Sequence, residues 1–140
     1  MQDEKKEGMP QSTGSYKVER IILMNSSFHR EVKIDFSKPI TLSFDHSSEA
    51  QETSESDGFF GVGLTFSFKG IQEADFLAFS AEVKMIGIFE KVGEPAVSED
   101  LFKKINATAI IYPFIREHLH GLCQKGSVGN VLLPTVNFKI

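Results

Sequence analysis

The chain of 140 residues contains little of several residue types on which other protein classes depend. Its single cysteine, Cys123, excludes an intrachain disulfide framework and indicates a reducing compartment. No apolar run approaches the roughly 20 residues that span a bilayer, and the start of the chain is charged where a secretory signal would be apolar. Lysine and arginine are not clustered, and the formal net charge is -4. The sequence therefore predicts a cytoplasmic protein with no nucleic-acid partner and no stable membrane insertion.

The residues that are present are typical of one globular domain. Hydrophobic residues make up 41% of the chain and charged residues 24%, which is enough apolar material for a single core at this length. Residues 1–14 are polar and contain Gly8, Pro10 and Gly14, so we predict a disordered N-terminal arm. The single domain is then expected over residues 15–140.

Two strands are predicted before a polar segment. Residues 16–24 have apolar side chains on both faces, which indicates an interior or interface strand. Residues 29–39 are expected to cross to a second strand, in which Ile40, Leu42 and Phe44 alternate with polar residues. Residues 46–58 contain no large apolar side chain, so they are predicted to form a solvated loop.

The clearest pattern is that of an antiparallel hairpin with one apolar face. Every second residue is apolar over residues 60–68, and the same period returns over residues 77–85. Gly61 and Gly63 leave the opposite face with few side chains. The alternation fails around Gly87, where both neighbours are isoleucines, and this predicts a β-bulge.

A long amphipathic helix is predicted after the strands. Ser98 is the expected cap of a short helix over residues 99–104, and Asn106 is expected to open the long helix, with Pro113 near its first turn or at a kink. Lys125 and Gly126 give the C-terminal signals. One apolar stripe recurs at helical spacing and consists of Ile111, Phe114, Ile115, His118, Leu119 and Leu122. Four strands followed by a helix indicate an antiparallel α+β fold.

Residue types that occur in catalytic and metal sites are present, but their spacing excludes the corresponding chemistry. Asp45, His46 and Ser47 are consecutive on a strand, so their side chains alternate between faces and cannot form a hydrogen-bonded triad. His118 and His120 are separated by about 200° around a helix axis, which prevents them from sharing a metal ion. We therefore predict no enzyme activity, no metal and no cofactor.

Aromatic residues are abundant, with thirteen Phe and two Tyr but no Trp. Most are expected in the core, but strand periodicity does not account for Phe36, Phe89 and Phe138. The segment after the helix is also more apolar than an ordinary tail, since it contains Leu132, Leu133, Pro134, Val136 and Phe138. Side chains of this kind line grooves that accept many sequences, because apolar contacts demand no particular partner residue.

Three groups of residues resemble the SecB family of protein-export chaperones. The first is VERI at residues 18–21, followed by Ser27 and Phe28, and the second is GIF at residues 87–89. The third and most specific is YPFIRE at residues 112–117, followed at the family's spacing by Gly126 and by LPTVNF at residues 133–138. The similarity extends over about residues 16–138.

The resemblance implies a four-stranded antiparallel sheet with a long helix beside it. It also implies a homotetramer, built as a dimer of dimers, in which the apolar helix stripe forms the interface between dimers. The implied activity is ATP-independent holding of non-native polypeptide in surface grooves, lined here by Ile34, Phe36, Phe89, Leu132, Leu133, Val136 and Phe138. The family normally continues through a second amphipathic helix and an acidic tail. Because this sequence stops at Ile140, we expect a short, divergent member with part of the groove wall absent and an altered peptide affinity or range.

The resemblance also implies a partner, the ATPase SecA, whose basic zinc-binding tail docks on acidic residues of the outer sheet face in this family. The corresponding positions here hold Asn25, His29, Ser80 and Glu82, so one carboxylate remains. Loss of two charges and one apolar contact, each worth roughly 1–2 kcal/mol, is expected to weaken docking by about a hundredfold or more. SecA binding stays open, and we expect a dedicated client, either a preprotein or the antitoxin of a toxin–antitoxin pair.

Two functions from other classes stay open beside the chaperone. The sheet and helix are also compatible with a domain that encloses a small hydrophobic ligand. A purely structural oligomeric subunit is the third alternative. Suppression of the aggregation of an unfolded protein distinguishes the chaperone from both.

Overall fold

A four-stranded antiparallel sheet carries one long helix on one of its faces. The computed structural model describes residues 14–51 and 58–129. The strands are β1 (Ser15–Arg30), β2 (Thr41–Gln51), β3 (Phe59–Gln72) and β4 (Phe76–Val92), in the order β1-β4-β3-β2. They are followed by a short helix α1 (Glu99–Leu101), a π-helical segment (Phe102–Asn106) and the long helix α2 (Ala107–Lys125). The predicted α+β fold is confirmed.

The core lies between α2 and one face of the sheet, which we term the helix face. The alternating apolar residues of β3 are buried on this face, and they are Phe60, Val62, Leu64, Phe66 and Phe68. The ring of Tyr112 on α2 lies 5.3 Å from that of Phe66, and Phe102 packs edge-on to Phe60 at 5.9 Å. Burial of each such side chain contributes about 1.5–3 kcal/mol. The period of two in residues 60–68 therefore identified the core face correctly.

The predicted bulge at Gly87 is wrong. Residues 79–90 of β4 pair with β3 without a register shift, and Gly87 lies on the helix face. A Cβ at Gly87 would come within 2.7 Å of the Phe89 ring and 3.2 Å of Ile111 Cδ1, so glycine is needed for the close approach of α2. The pattern resembled a bulge because the two flanking isoleucines are buried on the outer face of the sheet.

The register shifts of the sheet lie elsewhere. Ala78 is an extra residue of β4, between the pairs that Phe79 and Leu77 make with β3. Two further shifts occur in β1, at Glu19 and Met24. Because of the extra residue at Ala78, the residues before it face the opposite side of the sheet from the side that the alternation over residues 79–85 would give them. Leu77 therefore does not lie on the apolar face on which the sequence pattern placed it.

Both edge strands are longer than the apolar patterns predicted. β1 extends to Arg30, and β2 extends to Gln51, so residues 46–51 pair with β3 although a loop was predicted there. Backbone hydrogen bonds to one neighbour hold these segments, and the exposed side chains of residues 46–50 need no apolar repeat. Residues 52–57 of the predicted loop and 1–13 of the predicted arm lie outside the described residues. Gly14 lies against the backbone of residues 92–94.

The start of the helical region is fixed by a cap and by an aromatic stack. The Ser98 side chain accepts a hydrogen bond from the Leu101 backbone N–H at 3.2 Å, which confirms the predicted cap. Asn106 does not open a separate helix, because the π-helical segment joins α1 directly to α2. Tyr16 of β1 stacks on Phe102 at 4.0 Å, and this contact ties the helical segment to the edge strand.

We predict opposite effects of alanine at the two glycines near the end of α2. A Cβ at Gly121 would meet nothing within 4 Å, so Gly121→Ala should stabilise the chain by about 1 kcal/mol through helix propensity. Gly126 is the predicted and observed C-cap, but its φ is -82°, and a Cβ there would overlap the Phe28 ring. Gly126→Ala should destabilise by about 1–3 kcal/mol. Urea unfolding measures both changes, and a stabilised Gly126→Ala variant would contradict this packing.

The helix stripe predicted as a tetramer interface is divided between core and surface. Ile111, Ile115 and Leu119 are fully buried against their own sheet, so their assignment to an interface is wrong. The spacing identified the apolar side of α2 but not the surface that covers it. The other three predicted residues are more accessible: Phe114 is exposed, Leu122 is half-buried, and His118 Nε2 lies 2.8 Å from Ser26 Oγ of β1. No helix among the described residues is long and apolar enough to cross a membrane.

Candidate functional site

An exposed apolar surface lies at the end of the sheet where residues 31–40 cross from β1 to β2. Val32 is 89% exposed and Phe36 is 50% exposed. At the start of β4, Phe76 and Leu77 are each 38% exposed and, as consecutive residues of a strand, face opposite sides of the sheet. We define these four exposed residues at one end of the sheet as the crossover patch. Large apolar side chains that face water near one end of a sheet are candidates for a binding surface.

Hydrogen bonds hold the crossing segment against the sheet. The Glu31 N–H donates to Ala78 O at 2.8 Å, which lays the start of the segment beside the start of β4. Gln72, buried at the end of β3, donates from Nε2 to Asp35 O at 2.8 Å and to Lys38 O at 3.4 Å. The patch is therefore presented on backbone that is already ordered, so binding a partner costs little further conformational entropy.

Asp35 closes a turn inside the crossing segment. Its Oδ1 accepts hydrogen bonds from the Ser37 N–H at 3.0 Å and from Ser37 Oγ at 2.6 Å. These bonds stabilise the charged carboxylate and lower the pKa of Asp35 below its usual value of 3.8. Because the folded state has the lower pKa, this contribution to order is fully present above pH 3.8 and is lost as the pH falls through the depressed value.

The turn is therefore expected to keep its structure at neutral and mildly acidic pH. An NMR titration of the Ser37 amide should show a midpoint below 3.8, because this amide donates to the titrating carboxylate. Asp35→Asn, which cannot ionise but keeps an oxygen acceptor, is the control and should remove the transition. A midpoint at or above 3.8 would show that the carboxylate is not held as described.

The predicted groove residues occupy different environments. Phe36 belongs to the crossover patch, and Ile34 is partly buried and packs against the core. Phe89 is fully buried, with its ring 5.7 Å from that of Phe60 and 5.2 Å from that of Phe102. Its assignment to a groove is wrong, because a side chain inside the core cannot meet a client. The remaining predicted groove residues lie outside the described residues, and they are Leu132, Leu133, Val136 and Phe138.

The positions predicted as a residual SecA-type docking face share the outer face of the sheet, and they are Asn25, His29, Ser80 and Glu82. His29 is paired directly with Ser80, and a shallow depression of about 680 Å³ is lined in part by Ser80 and Glu82. Lys84 is paired with Asn25, and Lys69 is paired with Ser80. The surroundings of the single remaining carboxylate are therefore of mixed charge and are not predominantly acidic.

Sequence reasoning missed three of the four members of the crossover patch. Val32 is a lone apolar residue between Glu31 and Lys33, and such isolation was an available signal of exposure. Phe76 and Leu77 are adjacent apolar residues that open β4, and the register shift at Ala78 moves Leu77 off the face on which the alternation over residues 77–85 placed it. The alternation of apolar and polar residues in the sequence does not indicate this register shift.

Comparison with known proteins identifies the family of this chain. The model of a family described as preprotein translocase subunit SecB matches residues 15–140. The protein-export protein SecB of Saccharophagus degradans is 37% identical over 67 residues, which cover 46% of this chain and 38% of that protein. That of Ectopseudomonas mendocina is 36% identical over 88 residues, which cover 63% of this chain and 53% of that protein. The chain thus spans about half or less of the length of these relatives.

A solved structure has the same fold. It is that of a SecB-like chaperone from Mycobacterium tuberculosis in complex with a ChAD peptide from the HigA1 antitoxin. The two chains superpose with a TM-score of 0.72 at 11% identity, over 89% of this chain and 93% of that one. At this identity the likeness establishes the sheet and helix alone. Since the family model matches all of the sheet and the helix, the chain belongs to the SecB family.

Proposed function

We propose that this chain is an ATP-independent chaperone that holds non-native polypeptide, with the crossover patch as part of its client site. The observation that carries this proposal is a set of large apolar side chains exposed on a segment whose backbone is hydrogen-bonded in place. Unfolded clients expose apolar segments of many sequences, and burial of both surfaces drives association without a nucleotide or cofactor. Membership of the SecB family supports a role of this kind.

The alternative of a small hydrophobic ligand between sheet and helix is less well supported. A domain of that type needs an apolar cavity at the place where the ligand sits. Here Val62, Leu64 and Phe66 are at most 1% exposed and belong to the same packed cluster as Ile111 and Ile115 of α2. The apolar surface that remains available lies outside this core. A partner that binds from outside therefore fits the structure better.

Assembly and location follow from the same proposal. We propose a cytoplasmic homotetramer, a dimer of dimers in which the accessible side of α2 packs against another protomer. Phe114 and Leu122 lie on α2 and are at least partly accessible, whereas the buried members of the stripe serve the core of each protomer. Light scattering measures the mass of the assembly directly.

We predict weak docking of SecA. The outer face retains Glu82 but has Asn25 and His29 in place of two carboxylates. Lys69 adds a positive charge that opposes a basic partner, whereas Lys84 is already paired with Glu49 at 3.0 Å. Calorimetric titration with a peptide of the SecA zinc-binding tail should give an affinity about a hundredfold below that of a SecB with an acidic face. Micromolar or tighter binding would contradict this prediction. A triple variant, Asn25→Asp, His29→Asp and Ser80→Leu, should recover part of the affinity.

A dedicated client follows from weak SecA docking. The chaperone of similar fold was solved with an antitoxin peptide, which supports an antitoxin as one class of client. A preprotein is the other class that we propose. Co-expression with each neighbouring gene product, followed by purification of the complex, tests the class, and a dedicated client should co-purify in preference to an unrelated protein expressed in the same way.

The test of the general activity is suppression of aggregation. A chemically denatured protein diluted into buffer should scatter less light when this chain is present at about one tetramer per client. The suppression should be the same with and without ATP. A requirement for ATP, or unchanged scattering at a tenfold excess of tetramer, would contradict the proposed function.

A further inference from the structure

One side chain connects the crossing segment to the end of the long helix. Arg30 is the last residue of β1, and its side chain lies on the helix face. Its Nε donates to Glu31 O at 2.8 Å and its Nη2 to Val32 O at 3.1 Å. Its Nη1 donates to Gly126 O at 2.7 Å and to Ser127 O at 3.2 Å. The guanidinium carbon also lies 5.8 Å from the centre of the Phe36 ring.

The acceptors belong to two segments that are distant in sequence. Gly126 and Ser127 follow the last residue of α2, where carbonyls lack helical partners and carry the negative end of the helix dipole. Glu31 and Val32 begin the crossing segment. A planar guanidinium with five donors can satisfy four carbonyls in a fixed geometry, whereas a lysine ammonium has three donors and acts as a point charge.

We propose that Arg30 is a positioning residue of the client site. By fixing the start of the crossing segment against the end of α2, it holds Phe36 in one arrangement relative to the sheet. The proposal rests on the proposed function, because it assigns Arg30 a role in presenting the crossover patch to non-native polypeptide. Without the hydrogen bonds of Arg30, the crossing segment adopts the binding arrangement for only a fraction of the time, and the apparent affinity for the client is reduced to that fraction.

The chain lacks tryptophan, so Phe36→Trp introduces a single fluorescent reporter at the patch. In this background we compare Arg30→Lys with Arg20→Lys as the matched control. Arg30→Lys keeps the positive charge but loses the planar guanidinium and its additional N–H donors. Arg20 is exposed on the same strand, and its side chain lies on the outer face. Arg30→Gln serves as a second variant. Circular dichroism at low temperature shows which variants are folded, and only those are compared.

Two quantities are measured for each variant. The first is the fluorescence anisotropy of the tryptophan at position 36 without client, and the second is the Kd for fluorescein-labelled, reduced and carboxymethylated α-lactalbumin. Arg30→Lys should lower the anisotropy and raise the Kd about tenfold, as expected if the bound arrangement is populated one tenth of the time. Arg20→Lys should change neither quantity.

The outcomes separate a positioning role from a structural one. If folded Arg30 variants show a lower melting temperature but unchanged anisotropy and Kd, Arg30 only caps α2 and the proposal is overturned. A lower anisotropy with an unchanged Kd also overturns it, because the patch would then not need positioning. If the parent protein itself fails to bind the unfolded client, the proposed function fails, and the anisotropy still decides whether Arg30 orders the segment.

Discussion

Replacing Phe36 with serine is expected to weaken the binding of an unfolded client about tenfold while leaving the fold intact. Half of this side chain faces water, so client contact removes apolar area that folding leaves exposed. A central aromatic residue of an interface contributes more than about 1.4 kcal/mol, which is a factor of ten in Kd. The change in unfolding free energy should stay below about 1 kcal/mol, since the variant loses only its ring contact with Arg30 and partial packing.

A second substitution sharpens this prediction. Val32→Ser combined with Phe36→Ser should weaken binding further, by between about tenfold and a hundredfold, because both residues contact Arg30 and their effects need not add in full. Val92→Ser is the control, because Val92 is 41% exposed but lies at the opposite end of β4 from the crossing segment. It should keep the parental Kd for the client. Light scattering on all variants detects any change of assembly, and equal loss of binding in Val92→Ser would remove the crossover patch from the client site.

Replacing Phe89 with alanine is expected to have the opposite profile. Phe89 is fully buried between Phe60 and Phe102, so its removal leaves a cavity that the surrounding sheet and helix cannot fill. Such substitutions cost about 3–5 kcal/mol, which is a large part of the 5–15 kcal/mol stability of an ordinary domain. The urea midpoint should fall steeply. The fraction that remains folded at low temperature should bind the client with the parental Kd.

The comparison of Phe36 with Phe89 tests the division between surface and core. Both phenylalanines stand where sequence periodicity does not explain them, and the sequence assigned both to one groove. If Phe89→Ala were stable but no longer bound the client, Phe89 would belong to the client site, and this result would contradict its buried position. A strongly destabilised Phe36→Ser protein would in turn show that the crossing segment belongs to the folding core.

The first strand of the central hairpin could be predicted because its residues obey one rule. In residues 60–68 the helix covers one face only, so apolar and small residues alternate with a period of two. The rule fails at Gly87 because side chains on both faces are buried there, and alternation then carries no information about register. It also fails for residues 46–51, which are held by backbone pairing to β3 and need no apolar side chains.

The candidate site could be predicted only in part. Phe36 was singled out because strand periodicity does not account for it, and the family resemblance assigned it to the groove. Its exposure depends on the turn at Asp35 and on hydrogen bonds from Gln72, which no local pattern encodes. Arg30 was missed because its acceptors include Gly126, 96 positions away in the chain. The helix stripe was assigned to an interface because spacing reveals that a face is apolar but not whether its own sheet or a second protomer covers it.

Site-specific photo-crosslinking tests the central claim most directly. Benzoylphenylalanine is placed at position 36 in one protein and at position 25, on the outer face of the sheet, in another. Each is irradiated with an unfolded client and with the same client in its native state. We expect covalent adducts from position 36 with the unfolded client alone, and little or none from position 25. Equal crosslinking from both positions, or adducts with the native client, would contradict the assignment of the crossover patch as the client site.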